Sequence, residues 1–102
     1  MQREAFVEAV LLLVERVPPG RVTSYGVIAE YVGVGGPRQV GTVLASYGAA
    51  VPWWRVVRAD GTLPDCHRTR ARDHYADEGT PLLEGARGPR VDMRRAAWDP
   101  RG

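Results

Sequence analysis

The chain has 102 residues, of which 44% are hydrophobic and 25% charged, a composition typical of one globular domain with a modest core. Its net charge is only +2 although all 14 basic residues are arginine, which permits nucleic-acid binding but can equally reflect the base composition of the gene. The single cysteine, Cys66, excludes an internal disulfide and favours a reducing cytoplasm. Since no apolar run resembles a membrane span or a signal peptide, no membrane association is expected.

The first part of the chain predicts two helices. Gln2 to Val17 has apolar residues at three- and four-residue spacing between charged ones, and the prolines at 18 and 19 end the pattern. After a short extended piece, a second helix is expected from Thr23 or Ser24, whose hydroxyl caps the first N–H groups. The residues expected to form its buried side are Val27, Ile28 and Tyr31.

A third helix is predicted at residues 37–47, because Pro37 suits a first helical position after the glycine-rich turn at 33–36. Two short helices joined by such a turn form a helix-turn-helix. Gly41 costs about 1 kcal/mol relative to alanine, so it needs a reason such as close approach of its backbone to a neighbour. The residues expected to face inward are Val40, Val43, Leu44 and Tyr47, and the other face carries Arg38, Gln39, Gly41, Thr42, Ala45 and Ser46.

The second half of the chain begins with Val51-Pro52-Trp53-Trp54-Arg55-Val56-Val57. Adjacent tryptophans are either core anchors or a recognition surface, and this segment alone does not decide between them. A hairpin or wing is predicted around Ala59-Asp60-Gly61. A charged surface helix packed through Tyr75 is predicted from Pro64 or Asp65 to Glu78. Short extended pieces at Leu82-Leu83 and Val91–Met93, then a last turn that docks Trp98, complete the expected elements.

Three segments resemble a known family: GRVTSYGVIA at residues 20–29, GPRQVG at 36–41 and PWWRVV at 52–57. They are similar to the C-terminal, DNA-binding domain of the O6-alkylguanine-DNA alkyltransferases, and more closely to their non-enzymatic relatives, the alkyltransferase-like proteins. The resemblance is good over Phe6 to Leu63 and weak from there to Trp98. It implies a mainly α-helical, winged helix-turn-helix domain that occupies residues 1–102.

The resemblance also implies that the chain is not an enzyme. In the transferases a Pro-Cys-His-Arg-Val signature contains the cysteine that accepts the alkyl group, and this chain has Trp53 and Trp54 at the cysteine and histidine positions. Alkyl transfer needs a thiolate and a neighbouring base, and indole provides neither. No cofactor is expected. Most alkyltransferase-like proteins keep the histidine, so Trp54 departs from their pattern too.

The DNA contacts follow from the same resemblance. It implies that Arg38 enters the duplex where a nucleotide is everted, and that Tyr25 presses on the target phosphate. The residues alone allow plainer alternatives, a surface arginine at a helix end that disfavours cations and a half-buried tyrosine. The small face of the third helix fits a widened minor groove, normally about 6 Å wide, or packing on another helix. The expected DNA contacts are Thr23, Ser24, Tyr25, Pro37, Arg38, Gln39, Gly41, Thr42 and Ser46.

A lesion pocket is implied at the tryptophan pair. Trp53 would stack on the flipped base, an interaction worth about 1–3 kcal/mol, while backbone carbonyls of Trp53 and Val56 accept hydrogen bonds from guanine. Arg55 is expected to brace the loop through a carboxylate or carbonyls rather than to contact DNA. The expected pocket residues are Tyr25, Trp53, Trp54, Val56, Asp60 and Leu63.

A second motif, Pro64-Asp65-Cys66-His67-Arg68, resembles the transferase signature but has an inserted residue and follows the wing. An active transferase that uses Cys66 is therefore a poor alternative. Cys66, His67 and His74 do not have zinc-ligand spacing, so no metal is expected and all three are interpreted as surface residues. Arg68 is a weak candidate for contact with the flipped base.

The resemblance thus implies a protein that binds O6-alkylguanine in duplex DNA through the minor groove, flips the nucleotide and marks it for nucleotide-excision repair. We expect it to be monomeric and cytoplasmic. Its expected partners are the damaged DNA and nucleotide-excision repair proteins. One alternative is a winged-helix transcriptional regulator without lesion specificity, and another is an interaction module on the same scaffold. A regulator needs several long polar side chains on its recognition helix, where only Arg38 and Gln39 qualify.

Overall fold

The computed structural model describes residues 2–63, 68–86 and 88–102. Its α-helices are α1 (Arg3–Arg16), α2 (Tyr25–Val32), α3 (Pro37–Tyr47), α4 (Arg68–Glu78) and α5 (Met93–Ala96), with 3₁₀ turns at Gly48–Ala50 and Trp53–Arg55. The strands are β1 (Thr23–Ser24), β2 (Val56–Val57), β3 (Leu82–Leu83) and β4 (Arg90–Val91). This mainly helical architecture confirms the predicted fold class. No helix within the described ranges has the length and apolar character needed to cross a bilayer.

The first hydrophobic core lies where α1, α2 and α3 meet. Val10 and Val14 of α1, Ile28 of α2 and Val40 of α3 are fully buried there. The inward orientation predicted for two tyrosines is wrong, because Tyr31 and Tyr47 are 44% and 48% exposed. Both lie in the last turn of a short helix, where the amphipathic ring can leave its hydroxyl at the surface.

Local signals determine where α2 and α3 begin. The Ser24 hydroxyl accepts a hydrogen bond from the Val27 N–H at 3.1 Å, which confirms the predicted N-cap of α2. At α3, Pro37 occupies the first turn and the Gln39 side chain accepts a hydrogen bond from the Gly36 N–H at 2.9 Å. The predicted bounds of α3, residues 37–47, are therefore confirmed.

The two short strands β1 and β2 pair in parallel, with Thr23 opposite Val56. Parallel strands require a long crossover, which α2 and α3 provide, so the tryptophan turn is brought beside the start of α2. The predicted hairpin or wing forms as a turn, with the Gly61 N–H donating to the Arg58 carbonyl at 2.8 Å and the Arg58 N–H donating to the Thr62 carbonyl at 3.2 Å. The turn is also bonded to β4 through Gly61.

Gly61 explains why the wing turn lies so close to β4. Its φ is +87°, and its carbonyl accepts a hydrogen bond from the Val91 N–H at 2.9 Å. A Cβ atom at this position would lie only 2.2 Å from the Val91 carbonyl oxygen, so glycine is required. The wing turn is thereby attached to the C-terminal part of the chain.

A second core joins β2 to α4 and β4. Tyr75 is 1% exposed and packs there with Val57, Leu63 and Val91, which confirms that α4 packs through Tyr75. The predicted start of α4, at Pro64 or Asp65, lies outside the described residues. Met93 begins α5 instead of extending a strand, because the preceding aspartate caps that helix by accepting from the Arg94 N–H.

The C-terminal segment returns to the first core. Trp98 is half-buried against this core, and its backbone N–H donates to the Val22 carbonyl at 2.7 Å. The predicted docking of Trp98 is confirmed. Arg16 lies over this ring, with its guanidinium carbon 5.6 Å from the ring centroid, so α1 and the C-terminus are also in contact.

Candidate nucleic-acid interface

The outward face of α3 carries the residues that the sequence singled out. Arg38, Gln39, Thr42 and Ser46 are exposed, and the last three also line a groove of about 210 Å³ between α3 and α1. The Thr42 hydroxyl donates to the Arg38 carbonyl at 3.1 Å within the helix. Across the described residues the Arg38 guanidinium has no hydrogen-bond or ion-pair partner, although Pro37 and Arg38 begin a helix whose dipole disfavours a cation.

Gly41 lies on the same helix, where the ring of Tyr25 is its nearest neighbour. A Cβ atom at Gly41 would lie 4.0 Å from Cε1 of Tyr25, an ordinary van der Waals distance. The described contacts therefore leave room for alanine, and alanine would favour the helix by about 1 kcal/mol. Intramolecular packing does not explain the glycine.

Three predicted DNA contacts lie at the junction of β1 and α2. Tyr25 is half-buried, whereas Thr23 is 2% and Ser24 is 6% exposed. The Ser24 hydroxyl is occupied as the helix cap, and the Thr23 hydroxyl lies below the surface with no hydrogen-bond partner among the described residues. Their burial argues against a direct phosphate contact from either hydroxyl, and leaves Tyr25 as the accessible side chain of the three.

The tryptophan turn, residues 53–55, is held by hydrogen bonds that it exchanges with α4. The Trp54 indole N–H donates to Glu78 at 3.1 Å, so this partly buried indole has a hydrogen-bond partner. The Tyr75 hydroxyl donates to the Trp54 carbonyl. Burial, together with the nearby Tyr25 and Glu78, raises the pKa of Tyr75, so its hydroxyl stays protonated as a donor.

Arg55 and Glu78 form an ion pair beneath this turn, with side chains 14% and 12% exposed. The Arg55 Nε donates to both Glu78 oxygens, at 3.1 and 3.2 Å, and its Nη1 donates to the Val17 carbonyl at 2.9 Å. The predicted bracing role of Arg55 is confirmed. Burial of Glu78 acts to raise its pKa, but hydrogen bonds from Arg55, Gly20 and Trp54 and the arginine charge bring this pKa below its usual value.

Three aromatic rings form a cluster at the same place. The His74 ring is stacked on Trp54 with centroids 3.5 Å apart and planes 3° apart. Trp53 meets both rings edge-on, at 5.7 Å from Trp54 and 5.9 Å from His74. The interpretation of His74 as a plain surface residue is wrong, because it is half-buried against a partner distant in sequence, and no local pattern indicates such a contact.

The remaining predicted pocket residues differ in exposure. Val56 and Leu63 are buried in the two cores, so any contact of Val56 with a base would come from its backbone carbonyl. Asp60 is exposed, and its carboxylate accepts hydrogen bonds from the Thr62 hydroxyl and N–H, which lower the pKa of Asp60. The pairing of β1 with β2 brings the start of α2 beside the tryptophan turn, and Trp53 and Trp54 pack against the second core, which contains Leu63.

Cys66 and His67 lie outside the described residues, as does the side chain of Arg68. In the part of the chain that the structure describes, no three side chains among histidine, cysteine, aspartate and glutamate gather where they could hold a metal ion. The second motif therefore lies outside the described residues, apart from the backbone of Arg68.

Comparison with known proteins gives consistent matches. Residues 5–80 match the family model described as the 6-O-methylguanine DNA methyltransferase, DNA binding domain. The chain is 33% identical to the DNA base-flipping protein of Escherichia coli, over 96% of this chain and 78% of that protein. It is 30% identical to alkyltransferase-like protein 1 of Schizosaccharomyces pombe, over 98% of this chain and 100% of that protein.

A solved structure extends these matches to the fold. The crystal structure of S. pombe Atl1 in complex with damaged DNA containing O6-carboxymethylguanine is similar to this chain with a TM-score of 0.87 and 30% identity. The match covers 98% of this chain and 100% of that one. The similarity therefore includes the helix-turn-helix, the tryptophan turn and α4 together.

The Glu78 network predicts a specific pH dependence of stability. Because the folded-state pKa of Glu78 is below its usual 4.5, its stabilisation is complete above about pH 4.5 and is lost as the pH falls through the folded pKa. Replacing Glu78→Gln should lower the free energy of unfolding at neutral pH by about 3 kcal/mol, because Arg55 stays buried without its counter-ion. Urea titrations over pH 3 to 7 measure this difference.

The control is Asp77→Asn, which removes an exposed carboxylate from the same helix. That variant should differ little from the unchanged protein at neutral pH. A Glu78→Gln deficit that stays constant from pH 7 down to pH 3 would contradict the assignment.

Proposed function

This chain belongs to the 6-O-methylguanine DNA methyltransferase family of DNA-binding domains and to its alkyltransferase-like members, and we propose that it recognises O6-alkylguanine in duplex DNA without repairing it. The observation that carries the proposal is the indole pair Trp53 and Trp54 in the segment where transferases have cysteine and histidine. The relatives named base-flipping and alkyltransferase-like proteins favour lesion recognition over a generic transcriptional regulator.

The chemistry of the tryptophan turn supports binding rather than transfer. An alkyl acceptor must be a nucleophile such as a thiolate, and an indole ring is neither nucleophilic enough nor a base at neutral pH. Trp53 instead offers a flat surface for a base, and stacking on an aromatic side chain is worth about 1–3 kcal/mol per base. The turn that presents Trp53 is fixed by Glu78 and Tyr75.

The face of α3 supports the second half of the proposal, nucleotide flipping from the minor groove. Eversion costs a few kcal/mol, and a planar cation that enters the stack offsets part of this cost. Arg38 is exposed at the start of α3, and Tyr25 lies beside Gly41 at the start of α2. In this proposal Arg38 fills the gap in the duplex while Tyr25 presses on the target phosphate.

A protein that binds a lesion without removing it must present that lesion to other proteins. We therefore include nucleotide-excision repair proteins as partners of the DNA-bound, monomeric form in the cytoplasm. The proposal assigns them no contact surface.

The function is tested by titrating two duplexes, identical except that one has O6-methylguanine in place of one guanine, at a stated salt concentration because phosphate contacts are salt-dependent. Markedly tighter binding to the lesion is expected. Mass spectrometry of the protein afterwards should show no methyl adduct, and Cys66→Ser should bind identically. Equal binding to both duplexes would reject lesion recognition, and an adduct that Cys66→Ser abolishes would establish an enzyme.

Replacing Arg38→Ala should weaken binding to the O6-methylguanine duplex by about 10- to 100-fold, because the gap left by the flipped nucleotide is then unfilled. Fluorescence anisotropy with a labelled duplex measures the change. The matched control is Arg94→Ala, which removes an exposed arginine from α5 rather than α3. Equal, small losses in the two variants would mean that Arg38 contributes only general attraction to DNA.

Replacing Gly41→Ala separates folding from DNA contact. The free energy of unfolding should rise by about 0.5–1 kcal/mol, because alanine favours the helix and its Cβ has room beside Tyr25. Binding to both duplexes should nevertheless weaken several-fold if the α3 backbone presses into the groove. A variant that is more stable and binds DNA as well as before would remove Gly41 from the interface.

A further inference from the structure

His74 belongs to no motif in the sequence, yet it contacts both tryptophans of the turn. Its ring lies on Trp54 with a centroid separation of 3.5 Å and a 3° angle between planes. The same ring meets Trp53 at 5.9 Å and 85°. Since Trp54 also meets Trp53 at 88°, the Trp53 indole abuts a two-ring stack whose members come from two different elements.

Trp53 needs such support if it forms a wall of the lesion pocket. It is half-buried, and any side-chain motion that it keeps in the unbound protein is lost when a base stacks on it. An edge-to-face ring contact favours one orientation and contributes about 0.5–1.5 kcal/mol beyond area burial. A wall oriented before binding therefore retains more of the stacking energy.

The contacts of His74 are of a kind that fits this role. Trp54 is already fixed by two hydrogen bonds: its indole N–H donates to Glu78, and its carbonyl accepts from the Tyr75 hydroxyl. The guanidinium carbon of Arg55 also lies 5.4 Å from the centroid of its ring. Among the described residues, the nitrogens of His74 make no hydrogen bond or ion pair, so its known contacts are through the ring. The imidazole thus acts as a planar surface against the two indoles.

We propose that His74 is a positioning residue for lesion recognition, which holds the Trp53 indole in the orientation that stacks on the flipped base. The inference rests on the proposed function and adds a residue on α4 to the site. His74 touches Trp53 rather than the base, so it acts on the preference for the lesion and not on general attraction to DNA.

Two variants distinguish the effect of a planar ring at position 74 from the effect of side-chain volume. His74→Leu keeps apolar volume but removes the planar ring, whereas His74→Phe keeps a ring that can stack on Trp54. The O6-methylguanine preference, the ratio of dissociation constants for the guanine and lesion duplexes, should fall about three- to tenfold in His74→Leu, as the loss of one or two ring contacts implies. His74→Phe should restore it. Affinity for the guanine duplex should stay within about twofold in both.

Two further readouts test positioning directly. The near-ultraviolet circular dichroism of the tryptophans should weaken in His74→Leu and return in His74→Phe, because it reports fixed ring geometry. In a Trp53→Ala background, His74→Leu should cause no further loss of preference, since the wall that it positions is gone. Thermal melting of each variant establishes that the proteins compared are folded.

The outcomes are distinguishable. If the unchanged protein prefers the lesion and His74→Leu keeps that preference, the inference fails while the proposed function stands. Equal losses on both duplexes, or a loss that persists in the Trp53→Ala background, would also overturn it. If the unchanged protein shows no preference at all, the proposed function fails and this inference fails with it.

Discussion

The ion pair between Arg55 and Glu78 connects the parts of the molecule that the site needs. Arg55 follows the two tryptophans directly and also donates to the Val17 carbonyl, at the end of α1. Glu78 closes α4 and accepts hydrogen bonds from the Gly20 N–H and the Trp54 indole. Removing two charges from water is costly unless they are hydrogen-bonded. Here each guanidinium nitrogen of Arg55 donates a hydrogen bond, and both Glu78 oxygens accept at least two. This ion pair and its hydrogen bonds therefore hold the tryptophan turn against both α1 and α4.

A rigidly held tryptophan turn is useful for binding a damaged base but does not by itself permit alkyl transfer. Transfer needs a reactive sulfur with a base to ionise it, and geometry alone does not compensate for their absence. In the proposed function, recognition needs a flat ring held in a fixed orientation, and the Trp53 indole, packed edge-on against Trp54 and His74, is such a ring. The hydrogen bond from the Trp54 indole gives the partly buried Glu78 carboxylate a partner besides Arg55 and Gly20, so the indole contributes to the stability of the turn.

The sequence predicted those elements whose determinants are local. Pro37 and the following apolar spacing defined α3 correctly, and Ser24 defined the cap of α2. Features that depend on distant partners were missed. The parallel pairing of β1 with β2 follows from how α2 and α3 fold back between them, and the Gly61 carbonyl of the wing turn accepts a hydrogen bond from the distant Val91 N–H. His74 stacks on a ring twenty positions earlier in the chain, which no periodicity indicates.

The residues that the fold does not require are the more informative part of the site. Val40 and Ile28 are explained by the core that they fill, so their identity says little about function. Arg38 stands at a helix end that disfavours its charge, and Gly41 lowers helix stability where alanine would fit. Natural proteins keep residues that locally disfavour folding chiefly where binding to a partner offsets their cost in stability. Both choices lie on the outward face of α3, so the folding energetics support the proposal that this face binds DNA.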